Sequence, residues 1–203
     1  MKKLLVLIVM IIGACPLMAQ STFTIGPRVG LNYSKISSDN QSNVAYDYIR
    51  TWSGGAFVRA NLGKFYLQPE AYFNTKGSNL QIRQDPGNPA SQNINGRIRL
   101  SSLDTPFLIG YKLAEGKRKK SNFRIYGGPV ASFILKEKEN DLKLLNENSY
   151  EFNKSNIGVQ TGVGFDLGNL TFDARYETGL NKINSYFNQR ANVFQLSVGF
   201  KIL

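Results

Sequence analysis

The chain has 203 residues, with 25 Lys plus Arg against 14 Asp plus Glu, no histidine and one cysteine. That length allows one ordinary domain. The missing imidazoles and the lone Cys15 exclude a disulfide framework, a Cys/His zinc site and any hydrolase mechanism with an imidazole base.

The N-terminus reads as a targeting segment. Met1-Lys2-Lys3 is a short positive start, and Leu4 to Ile12 is an apolar run of nine residues, too short to span a bilayer as a helix. Small residues lead to Met18-Ala19-Gln20, so residues 1–19 are predicted to be a signal peptide and 20–203 the mature domain. The rival reading is a lipoprotein signal, with Ile12-Gly13-Ala14 before an acylated Cys15 and Pro16 as its awkward neighbour. The remainder holds no apolar stretch of the length a transmembrane helix needs.

From Phe23 onward the dominant period is two, the period of a strand with one apolar and one polar face. Phe23, Ile25, Val29, Leu31 and Tyr33 alternate with Thr24, Gly26, Arg28, Gly30 and Asn32. A second, less clean strand covers Trp52 to Leu62, with Arg59 on its polar face. A third covers Phe65 to Asn74 and carries Gln68 and Glu70 on the polar face. A fourth, Ile94 to Leu113, needs a slip of phase near Ser101-Ser102, read as a bulge. A fifth, Asn122 to Leu135, sets Phe123, Ile125 and Phe133 opposite Arg124 and Tyr126. Asn156 to Leu167, Leu170 to Gly179 and Phe194 to Ile202 complete eight strands.

Short and long connections alternate along the chain. Gly63-Lys64, Ala114 to Ser121 and Gly168-Asn169 are short, whereas 34–51, 77–93, 136–154 and 180–191 are long and polar. An up-and-down barrel with this pattern has all short turns at one end and all long loops at the other, as bacterial outer-membrane barrels do. A soluble sandwich alternates in the same way. The even strand number, the strand length and the mixed charge of the polar faces favour the barrel. Those faces carry Arg28, Arg59, Arg97, Arg99, Arg124, Arg175 and Lys201 against Glu70, Asp104, Asp166, Asp173 and Glu177. In an eight-stranded barrel they converge on a narrow interior and must pair, because isolated buried charges are costly. The expected fold is therefore an all-β, eight-stranded antiparallel up-and-down transmembrane barrel.

Several segments are similar to a known family. Phe23-Thr24-Ile25-Gly26-Pro27-Arg28-Val29-Gly30 resembles the opening strand of the PorT-like outer-membrane barrels of Bacteroidetes. Tyr66-Leu67-Gln68-Pro69-Glu70-Ala71-Tyr72-Phe73, Leu103-Asp104-Thr105-Pro106-Phe107-Leu108 and Tyr126-Gly127-Gly128-Pro129 resemble its later strands, as do Gly162-Val163-Gly164-Phe165-Asp166 and Asp173-Ala174-Arg175-Tyr176-Glu177-Thr178-Gly179-Leu180. The family usually closes on an aromatic residue, where this chain has Ile202 followed by Leu203. The resemblance implies a barrel of the OmpA/OmpX type, an outer-membrane location and no enzymatic activity.

No residue set reads as catalytic, cofactor-binding or metal-binding. Asp173, Arg175 and Glu177 share one strand face and, with Glu70 and Arg28, are expected to form a salt-bridge network that fills the barrel. Arg59, Asp104, Arg124 and Lys201 join it as structural members. Gly162-Val163-Gly164 lacks the following helix a phosphate loop requires. Lys117-Arg118-Lys119-Lys120 is expected to be a solvated turn, so no nucleic-acid partner is expected. The expected partners are outer-membrane lipid, the barrel assembly machinery during biogenesis and envelope proteins that meet the long loops, with the barrel itself a monomer. The expected role is binding, adhesion or envelope integrity. The alternatives are a narrow porin-like channel and an accessory subunit of an envelope machine such as a secretion system.

Overall fold

The computed structural model describes residues 23–38, 44–83, 93–116, 121–140, 155–180 and 189–202. The signal-peptide boundary, Cys15 and the Lys117–Lys120 turn lie outside the described residues. Nine strand segments follow in chain order: β1 (Phe23–Ser38), β2 (Val44–Asp47), β3 (Ile49–Leu62), β4 (Phe65–Arg83), β5 (Asn93–Glu115), β6 (Ser121–Asn140), β7 (Ser155–Leu167), β8 (Leu170–Gly179) and β9 (Gln189–Phe200).

β2 and β3 form one stave. Both pair with β4, and the register shifts by one residue between Asp47↔Asn79 and Ser53↔Asn74, around Tyr48. The barrel thus has eight staves, all antiparallel. β1 pairs with β9 from Arg28↔Gly199 to Ser38↔Gln189, which joins the first stave to the last and leaves no open edge. Closure matters because a lipid-exposed strand has no water to satisfy its free N–H and C=O groups.

The period-two pattern then sorts the side chains. Phe23, Phe65, Phe165, Phe172 and Phe200 are exposed on the outer face toward the short turns, and Trp52, Phe73, Phe133, Tyr176 and Phe194 toward the opposite end. Exposed Val29, Leu31, Val163, Leu196 and Val198 lie between them. Two aromatic girdles around an aliphatic band is the outer surface of a membrane barrel. No helix among the described residues is long and apolar enough to cross a membrane, so crossing falls to the strands. Gly63 and Gly168 open the two tightest turns with φ of 68° and 58°, a left-handed conformation that glycine adopts without a Cβ penalty.

Three sequence expectations need correction. The long connections are shorter than the polar composition implied: β1 runs to Ser38, β4 to Arg83 and β6 to Asn140, and β9 begins at Gln189. The added residues are mostly polar in sequence, so the apolar alternation fades while the backbone ladder continues. The fourth strand does not switch face at Ser101-Ser102. The register irregularity is there, but β6 takes up the extra residue, since Ser101 faces Lys136 and Ser102 faces Ile134. Leu100, Ser102 and Asp104 therefore all point inward, and Arg99 is exposed on the outer face instead of joining the interior charges.

Candidate functional site

Among the described residues, charged side chains converge in the lumen. Arg28 (β1), Arg59 (β3), Glu70 (β4), Asp104 (β5), Arg124 (β6), Asp166 (β7) and Asp173, Arg175 and Glu177 (β8) all face inward, none more than 6% exposed. Lys201, just past β9, reaches in from the turn end. Glycines make room for these long side chains. A Cβ on Gly164 would meet the Arg124 guanidinium, and one on Gly110 would fall within the Tyr66 ring.

The middle layer centres on Glu70. Nη1 of Arg28 donates to both Glu70 oxygens at 2.7 Å. Arg175 grips the same carboxylate as a fork, Nη1 to Oε2 at 2.7 Å and Nη2 to Oε1 at 2.8 Å. Arg28 also reaches Asp173 at 3.2 Å and Ser197 Oγ. Arg175 Nε donates to the Tyr126 hydroxyl, which donates to Asp173 Oδ1, each at 2.9 Å. β4 and β8 are not neighbours in the sheet, so the Glu70–Arg175 pair crosses the lumen.

Toward the short turns, Arg124 bridges Asp166 and Asp173 and donates to Thr171 Oγ1 at 2.7 Å. Asp166 also accepts from Arg59 at 2.7 Å and Asn122 at 3.0 Å, with the Lys201 ammonium at 3.4 Å. Toward the loops, Lys76 sits between Asp104 at 3.1 Å and Glu177, and donates to Ser132 Oγ at 2.9 Å. Gln160 donates to the Tyr72 hydroxyl at 2.9 Å and to Glu177 at 3.3 Å.

Glu177 takes Lys76, not Arg175, as its cation. Sequence reasoning missed Lys76 because it ended the third strand at Asn74. The signal was present, since the inward set Gln68, Glu70, Tyr72 and Asn74 continues in step to Lys76. Gln160 and the bridging hydroxyl of Tyr126 were missed too, because neither is charged. Arg97 lies outside the residues whose side chains are described.

The two central carboxylates are fully engaged. Glu70 and Asp173 both accept charge-assisted hydrogen bonds from guanidinium groups. Among the described residues no group of three or more Cys, Asp or Glu is placed to hold a metal ion. Pairing of this kind offsets the large desolvation cost of buried charge and ties strands across the lumen.

Outer-membrane protein OprG of Pseudomonas aeruginosa superposes with a TM-score of 0.52 at 12% identity, over 89% of this chain and 95% of OprG. Neisserial surface protein A matches at 14% identity and a TM-score of 0.47, over 88% of this chain and 97% of its own. Ail, the attachment invasion locus protein of Yersinia pestis, matches at 11% identity and 0.45, over 89% and 99%. At such identity the OprG likeness is one of fold alone. No curated protein matches the chain by sequence. The outer membrane protein beta-barrel domain matches residues 18–185, most of the chain. With its closed eight-stave sheet, lipid-type outer face and charge-filled lumen, the chain belongs to the outer membrane protein beta-barrel domain family.

Proposed function

We propose that the protein is a non-catalytic, plugged barrel of the bacterial outer membrane that works through the end opposite its short turns, in binding, adhesion or envelope integrity. One observation carries this reading. The Arg28–Glu70–Arg175 layer crosses the lumen with no member more than 6% exposed, so the interior is occupied by paired side chains instead of a column of water. A wall of this diameter is just wide enough for side chains to fill.

The motifs around Arg28, Glu70 and Asp173 further support a PorT-like barrel, delivered by a signal peptide over 1–19 and inserted by the barrel assembly machinery. The apolar outer face supports a monomer surrounded by lipid, with the short turns on the periplasmic side. The test is planar-bilayer recording on protein shown to fractionate with the outer membrane and to migrate faster on gels before heating. No steady conductance is expected. A steady current whose ion selectivity changes in Arg175→Ala would overturn the plugged reading, and recovery as a detergent-free soluble monomer would overturn the membrane reading.

A further inference from the structure

At the end that carries the short turns the lumen opens into a polar cavity of about 510 Å³. Arg59, Asn122 and Asp166 line its inner part, and Lys64, Lys112 and Lys201 stand with Glu115 nearer its mouth. Four cations thus face two carboxylates. Both carboxylates are already engaged. Asp166 is shared among Arg59, Arg124 and Lys201, and Glu115 pairs with Lys112 at 3.2 Å.

The layers above supply no relief, because Glu70 and Asp173 are held by Arg28, Arg124 and Arg175. Two atoms in the lining residues are buried without a partner: Nη2 of Arg59, a side chain 2% exposed, and Oδ1 of Asn122. A buried donor left unpaired is costly, and a positive surplus in a partly enclosed cavity is lowered most directly by a counter-anion.

We propose that this cavity binds a small oxyanion, a phosphate or carboxylate group that enters from the turn side and is held by Lys112 and Lys201, with the Arg59 guanidinium behind it. Lysine ammonium groups at the mouth act as mobile point charges, and the fixed guanidinium supplies the directional field. The inference goes beyond the plugged-barrel reading and does not depend on it, since a cavity at one mouth is compatible with either a closed or a conducting lumen. A dissolved anion and a lipid headgroup offer the same chemistry, and the experiment separates them.

The full chain, folded in phosphate-free maltoside detergent, is titrated with inorganic phosphate at constant ionic strength while backbone amide resonances are followed by NMR. Saturable shifts are expected at Lys112, Asn122, Asp166 and Lys201, with the loop end unmoved. Lys112→Gln combined with Lys201→Gln is expected to weaken the apparent affinity at least about tenfold, as loss of two charge-assisted contacts implies. Both side chains lie at the mouth, and gel migration before heating verifies that the variant is folded. In phosphatidylcholine nanodiscs without added phosphate, the same shifts on introducing phosphatidic acid identify a headgroup as the source. Their absence there, with saturation by dissolved phosphate, identifies a free solute. Shifts that spread over the barrel without saturating, or equal affinity in the folded double variant, overturn the proposal.

Discussion

Glu70 shows how one side chain sets the cost of its neighbours. Two guanidiniums and the Gln68 amide donate to it, so its removal takes the forked carboxylate from Arg175 and leaves Arg28 only Asp173 as counter-ion. Breaking one partner out of a dry pair costs about 3–5 kcal/mol. Arg175→Ala and Glu70→Ala are therefore expected to be non-additive, the double variant losing well under the summed single losses. Arg175→Ala with Glu177→Ala is expected to couple more weakly than either direct pair, because the two meet only through Gln160, which accepts from Arg175 at 3.2 Å and donates to Glu177 at 3.3 Å. Lys76→Ala with Glu177→Ala is expected to couple. Double-mutant cycles on urea unfolding in lipid vesicles measure all three. Additivity in the Arg175 and Glu70 cycle would mean that their fork contributes nothing to the folded state. The inward direction of these residues was legible in the sequence, since alternation along a strand fixes the face. Their partners were not. Arg175 lies two residues from Glu177 but bonds to Glu70, 105 positions away, because the stagger of the staves decides which side chains meet across the lumen.

A stave must satisfy two solvents, lipid outside and a charged interior. Val163 on β7 and Leu196 on β9 are exposed in the band between the aromatic girdles. Val163→Arg or Leu196→Arg is expected to cost about 2–4 kcal/mol, the penalty for a cation near the bilayer midplane. Asn169→Arg, in the turn between β7 and β8, is expected to be near neutral. Urea midpoints of the three variants in the same vesicles check the facing assignment, and equal midpoints would refute it. Alternation of Phe, Val and Leu made the membrane-embedded part of each stave readable. It failed at Lys76 and along the far ends of β4 and β6, where composition turns polar on both faces although the ladder goes on. The split between β2 and β3 was unreadable for the same reason, as residues 39–51 carry little apolar periodicity.

Across the whole molecule, stability depends on closure. β9 pairs with β1 on one side and β8 on the other, so its loss opens two edges at once. Deleting residues 189–203 is expected to abolish the compact, fast-migrating species seen on gels before heating, not merely to lower its midpoint. A truncated chain that still migrated in that way would show that β1 and β8 can join directly. The lumen is balanced on the same scale: among the described interior residues six cations face five carboxylates, and the extra charge, Lys201, sits at the turn end.

The contact between β1 and the end of the chain has a further consequence. The backbone N–H of Ile202 donates to the carbonyl of Ile25 at 2.9 Å, so the start and finish of the barrel domain lie side by side. The staves therefore form a ring, and their numbering reflects the gene instead of the fold. A circular permutant that bridges the old termini with a short linker and opens the chain within residues 141–154 keeps every pairing of the ring, while a different strand arrives last. Such a permutant separates two properties that coincide in this chain: which strand seals the ring against β1, and which strand comes last in chain order.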